Sequence, residues 1–143
     1  MRLSAKIEYA CLAALELAVR YQKNAPVQLA EIAGAQEIPE KFLTQIFQRL
    51  KSANIINSAR GVAGGYFLSR TPAEITLADI IRAVDNTLLG SYGEEEITDG
   101  SRGRELVLRS WRDISDGVTG KLEQLTLEGL VNRMRSDQPT YHI

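Results

Sequence analysis

Between Pro39 and Arg70 the hydrophobic pattern changes period, and this change constrains the fold more than any other feature of the chain. Leu43, Ile46, Phe47 and Leu50 recur at three- and four-residue steps, the period of an amphipathic helix. Pro39 stands at the first turn of that segment, where its missing N–H has no intrahelical partner to lose. Directly afterwards, Ile55-Ile56-Asn57-Ser58 and Tyr66-Phe67-Leu68-Ser69 are short and β-prone, separated by Ala59-Arg60-Gly61-Val62-Ala63-Gly64-Gly65. The segment therefore reads as a helix followed by a glycine-tipped hairpin. The glycines do not suit a phosphate loop, because no Gly-Lys-Ser/Thr follows and they open a hairpin rather than a helix.

The residues before Pro39 supply the rest of a helix-turn-helix. Residues 4–23 contain neither Gly nor Pro, and Ile7, Cys11, Ala14, Leu15 and Ala18 follow helical spacing up to Asn24-Ala25-Pro26. A second, short helix is expected over Leu29–Ala35, with Gly34 near its exit. Two short helices joined by a tight turn make the later one the reading helix, and the hairpin after it a wing. Its outward face carries Lys41, Thr44, Gln45, Gln48 and Arg49, and no acid occurs between Glu40 and Glu74. Donors and neutral amides without carboxylates suit phosphates and base edges in a major groove. Arg60, on a slim wing, suits a narrow minor groove of negative potential.

Farther along, Thr76-Leu77-Ala78-Asp79 is a capping box that opens a helix through Ile80, Ile81 and Val84. Residues 86–103, with the acidic run Glu94-Glu95-Glu96, read as an irregular loop. After it Val107, Trp111, Ile114, Val118 and Leu125 keep three- and four-residue steps, although Gly117 and Gly120 weaken the helix locally. An apolar helix outside a complete winged domain is most simply a dimer interface, built on Val107, Trp111, Ile114 and Val118. Thr126 caps a last short helix ending near Arg133, followed by a polar tail. The fold expected is mainly α with a small β-hairpin. Residues 1–85 form a winged helix-turn-helix DNA-binding domain, 86–103 an acidic sensor-type loop, and 104–143 a dimerisation helix and tail.

Charge and composition narrow the function. Residues 1–70 carry nine Lys or Arg against five acids, whereas residues 71–143 carry eight against thirteen. The first half is thus the one suited to a polyanion. One cysteine cannot form an internal disulfide, which fits a reducing, cytoplasmic setting. Glu8 and Glu16 interrupt the apolar start, no small-residue cleavage site follows, and no charge-free run is long enough to span a bilayer. Catalysis is disfavoured: there is no Ser–His arrangement or pair of carboxylates in an evident cleft, and the single histidine, His142, is next to the chain end. A protein-interaction module docking through the acidic loop is the alternative from another class.

On particular motifs the chain resembles the Rrf2 family of bacterial winged-helix regulators, whose branches include IscR-like, NsrR-like and CymR-like proteins. The resemblance covers roughly residues 1–135. It rests on Met1-Arg2-Leu3-Ser4, Tyr9-Ala10, Phe42-Leu43-Thr44-Gln45-Ile46-Phe47, Leu50-Lys51 and Arg60-Gly61-Val62-Ala63-Gly64-Gly65-Tyr66. Ile80-Ile81-Arg82-Ala83-Val84-Asp85, Trp111-Arg112-Asp113 and Thr126-Leu127 extend it. It implies a homodimer on imperfect palindromic promoter DNA, often acting as a repressor. It also implies that Arg60 enters the minor groove and that Lys41, Thr44 and Gln45 face the major groove. Arg2, Gln48, Arg49, Gly61, Gly64 and Tyr66 complete the expected DNA-facing set. Thr44 stands where IscR-like members carry a glutamate that helps discriminate sites.

The same resemblance raises the question of an iron–sulfur centre. IscR-like and NsrR-like members hold a cluster on three cysteines in the loop before the long helix, whereas residues 86–103 hold no Cys or His. In this respect the loop is closer to CymR-like members, which hold no cluster and answer to a partner enzyme. Some relatives recruit an acidic residue at about the position of Glu8. Cys11 is one turn from Glu8, so these two, joined by His142 or a residue of a partner chain, are candidate ligands of an unusual [2Fe–2S] cluster. Two other readings of Cys11 stand beside this one: a core cysteine on the stripe with Ile7 and Leu15, and a thiol switch.

Overall fold

A computed structural model describes residues 1–23, 25–62 and 64–137. Helix α1 (Ala5–Val19) runs through the middle of the fold and meets four later helices. Its sequence allows this, because Ala10, Ala13, Ala14 and Ala18 are buried and let neighbouring backbones approach closely. Ser4 caps it by accepting the amide of Ile7 at 3.3 Å. The helix ends at Val19, earlier than the sequence pattern suggested, and a 3-10 turn at Tyr21–Lys23 carries the chain toward Pro26.

Helices α2 (Leu29–Gln36) and α3 (Glu40–Ser52) form the helix-turn-helix. The chain leaves α2 at Glu37, which has φ 54°, rather than at Gly34, which is helical. The amide of Ile38 bonding to the carbonyl of Ala33 at 2.9 Å holds that left-handed exit, and Ile38 is buried beside it. Pro39 is the N-cap residue of α3 rather than its first helical residue, and its carbonyl accepts the amides of Phe42 and Leu43. Leu43, Ile46, Phe47 and Leu50 are all buried, as their spacing required. Strands β1 (Ile56–Ala59) and β2 (Gly65–Leu68) pair antiparallel, with Ile56 opposite Leu68 and Ala59 opposite Gly65.

Helix α4 (Leu77–Val84) starts from the expected capping box: Thr76 accepts from Asp79 N at 3.1 Å, and Asp79 accepts from Thr76 N at 3.0 Å. The segment 86–103 is more ordered than its composition suggested. It contains helix α5 (Glu94–Thr98), and the long helix α6 (Arg102–Gln124) begins within it, capped by Ser101. Three glutamates in the first turn of α5 face the partial positive charge of a helix start, and Ile97 anchors the helix by being fully buried. From α6, Arg104 donates to the carbonyls of Glu96 at 2.7 Å and Asp99 at 2.5 Å, satisfying groups that the short helix leaves open.

Helix α7 (Leu127–Ser136) runs past Arg133. It begins beside α4, since Thr76 and Thr126 form an antiparallel bridge through Leu77 N–Leu125 O and Leu127 N–Ile75 O, both 2.9 Å. Leu127 and Val131 join the core built on Ile7, Leu17, Ile32, Phe47, Ile55 and Ile80. The tail helix is thereby part of the winged body, whereas none of the residues of α6 is itself buried.

Candidate nucleic-acid interface

Helix α3 exposes the polar side that its spacing predicted. Lys41, Thr44, Gln45, Gln48 and Arg49 are exposed while the opposite side of α3 is buried. Among the described residues, Lys41 and Arg49 form no ion pair and the amides of Gln45 and Gln48 no side-chain hydrogen bond, so their donors are available. Thr44 differs, because its hydroxyl donates to the carbonyl of Glu40 at 2.9 Å and turns back onto its own helix. Its methyl group and the acceptor lone pairs of its oxygen remain for a base edge.

The wing is tied to this helix at several points. The Tyr66 ring lies 4.6 Å from the ring of Phe47 at an interplanar angle of 57°. Lys51 Nζ donates to Ser58 Oγ at 2.7 Å, joining the end of α3 to β1. Arg60 and Gly61 are exposed at the tip, next to a fully exposed Val62. Of the other wing residues expected to face DNA, Gly64 is buried and Tyr66 half-buried at the base of the wing. On the other flank, Tyr9 meets Phe42 edge-on at 5.7 Å, bracing the first turn of α3 against α1.

Arg2 and Lys6 occupy different surroundings. Arg2 is exposed and lines a groove of about 550 Å³ beside α6, together with Leu3, Leu88, Tyr92, Trp111 and Ile114. Lys6 shares a small cleft with Phe42, Gln45 and Arg49, next to the reading helix. The sequence pattern did not place Lys6 beside α3; the one local signal is a cation in the first turn of a helix, where the dipole disfavours one.

Residues 3–133 match the Rrf2 family, described as an iron-dependent transcriptional regulator. The regulator IscR of Photorhabdus laumondii is 40% identical over 134 residues, which are 92% of this chain and 80% of that protein. The chain belongs to the Rrf2 family. Solved Rrf2-type structures agree with the fold throughout. IscR of T. potens superposes with a TM-score of 0.83 at 28% identity, covering 99% of this chain and 94% of the other. CymR, the global cysteine regulator of B. subtilis, superposes with a TM-score of 0.77 at 29% identity, covering 93% of this chain and 98% of the other. Like these Rrf2 relatives, the chain is a DNA-binding transcriptional regulator and not an enzyme. No helix of the described residues is long and apolar enough to cross a membrane.

Membership in this iron-dependent family makes the donor set for a cluster worth testing. Cys11 is half-buried against the core, and burial pushes its thiol up to about 11, away from the thiolate that iron prefers. Glu8 is exposed on the same helix, and His142 lies outside the described residues. Among the described residues of one chain, no three His, Cys, Asp or Glu side chains are grouped to hold a metal. In place of cysteines, the 86–103 segment has an ion-pair network. Glu94 accepts from Arg109 at 2.6 Å and from Arg112 at 3.0 Å, and Arg109 also reaches Glu105 at 3.0 Å. Hydrogen bonds from Arg109 and then Arg112 hold the Glu94 carboxyl below the usual range. The described residues of one chain do not by themselves fit an iron–sulfur cluster.

Proposed function

We propose that the protein binds imperfect palindromic promoter DNA as a homodimer and represses transcription, with residues 1–85 supplying the DNA-contacting surface. In this reading α3 enters the major groove and the Arg60 wing the adjacent minor groove. The observation that carries it is the exposed polar face of α3 beyond Glu40, on which Lys41 and Arg49 form no ion pair among the described residues, joined to the wing in one packed unit. Gln45 reads bases, while Lys41, Arg49 and Lys6 neutralise phosphates.

The pairing of two copies is supported by α6. Val107, Trp111 and Ile114 are 67%, 59% and 59% exposed and, with the half-buried Val118, form an apolar stripe that water disfavours. Two-fold symmetry would then set half-sites one or more turns apart, at about 34 Å per turn. The signal reaches the regulator through a metabolite or partner enzyme rather than through a cluster at residues 86–103. Iron and sulfide analysis of anaerobically purified protein should find neither, and a visible spectrum lost in Cys11→Ala would overturn this part.

Binding to promoter fragments by fluorescence anisotropy tests the DNA reading. Arg60→Ala should weaken binding most at sites with A·T-rich flanks, and Gln45→Ala should relax base preference by about 1–3 kcal/mol at one position. If Arg60→Ala leaves affinity unchanged at moderate salt, the wing does not enter the groove. A uniform loss across sequences in Gln45→Ala would make that residue a backbone contact.

A further inference from the structure

Gln28 is the N-cap residue of α2, a place where a side chain ordinarily turns back to accept an amide of its own helix. Gln28 makes no such bond. Its Nε2 instead donates to the carbonyl of Gly64 at 2.8 Å, reaching the base of the wing across 36 residues of sequence. Next to it, Val27 and Tyr66 exchange both backbone bonds, Val27 N to Tyr66 O at 2.9 Å and Tyr66 N to Val27 O at 2.8 Å. The start of the helix-turn-helix is thereby joined to β2 of the wing by a single antiparallel bridge.

Gly65 permits this close approach, and Gly64 permits the tight tip above it. Gly65 has φ +149°, and a Cβ on it would stand 2.5 Å from the carbonyl oxygen of Val27. A Cβ on Gly64 would stand 2.4 Å from the carbonyl oxygen of Ala59 and 2.8 Å from that of Gly61. Gly64 N also donates to Gly61 O at 2.9 Å, closing the tip that carries Arg60. The carbonyl Gln28 grips therefore belongs to the residue whose amide closes the tip. The grip comes from the first residue of the DNA-docking helix pair.

We propose that Gln28 is a positioning residue for DNA binding, fastening the wing to the helix-turn-helix so that Arg60 and α3 engage DNA in one fixed geometry. This rests on the minor-groove reading of Arg60 given above. Gln28 itself touches no DNA; it acts through the placement of the wing. Removing its donor frees the tip without unfolding the body, since the side chain is exposed and outside the core.

A double-mutant cycle with Gln28→Met and Arg60→Ala, on promoter DNA with an A·T-rich flank, tests this. Met keeps the length and adds no charge. Gln28→Met alone should weaken binding about three- to tenfold, the range for one lost hydrogen bond. In the Arg60→Ala background the same change should alter affinity less than about twofold, because the group it positions is gone. Backbone amide relaxation in the free Gln28→Met protein should report greater motion at Arg60–Val62, with α3 unchanged. Equal losses in both backgrounds would overturn the proposal and leave Gln28 a direct contact or a general stabiliser. No loss in Gln28→Met, with a clear loss in Arg60→Ala, would overturn it while keeping the wing reading. No loss in Arg60→Ala would overturn both.

Discussion

Cys11 shows how one side chain can be read three ways from sequence and be narrowed by its surroundings. Its spacing from Glu8 puts both on one helix face, but α1 turns the thiol toward the core and leaves the carboxylate outside. Burial pushes the thiol up to about 11, against an ordinary value of 9.0. The folded state therefore holds the proton more tightly than the unfolded chain does. Whatever stability this linkage represents is intact below pH 9 and is lost as pH rises toward 11. Iodoacetamide should accordingly label Cys11 at pH 8 at least about tenfold more slowly in the native protein than in urea. Equal rates would mean an exposed, ionised thiol and would restore Cys11 as a ligand candidate. Thr44 makes a similar point: sequence placed it on the reading face, while only the structure shows its hydroxyl engaged with Glu40.

Elements were legible wherever a local rule set them. The buried stripe of α3, the capping box of α4 and the antiparallel hairpin all follow from spacing and cap chemistry within a few residues. The 86–103 segment was not, because α5 is held from outside its own sequence, by Arg104, Arg109 and Arg112 on α6 and by burial of Ile97. The wing's glycines fall between these cases. Their number announced a tight hairpin, but the reason for Gly65 is the backbone of Val27, far back in the chain. Gly65→Ala should destabilise the protein by about 1–3 kcal/mol in urea unfolding. An unchanged midpoint would show that Val27 can withdraw without loss.

At the scale of the whole molecule the C-terminal half divides in two. Helix α7 returns to the winged body through the Thr76–Thr126 bridge and supplies Leu127 and Val131 to its core, while α6 keeps an apolar stripe uncovered. The two helices should therefore fail differently. Leu127→Ala removes a fully buried side chain and should lower stability by about 2–5 kcal/mol. Trp111→Asp should leave the monomer fold intact and abolish pairing, read as a halved mass in light scattering at micromolar concentration. A dimer that survives Trp111→Asp would place the interface away from α6. A Leu127→Ala protein as stable as the parent would mean that α7 contributes little to the core.

From the sequence alone came the class of the fold, the exposed polar face of α3, the hairpin and the regulator family, because each depends on periodicity, caps or motifs spanning neighbouring residues. Tertiary structure alone decided which side of α1 buries Cys11, that α7 belongs to the winged core, that Lys6 lies beside Gln45, and that Gln28 grips the wing. These depend on contacts between residues distant in the chain. A linear pattern records which side of an element is apolar, but not which distant element comes to cover it.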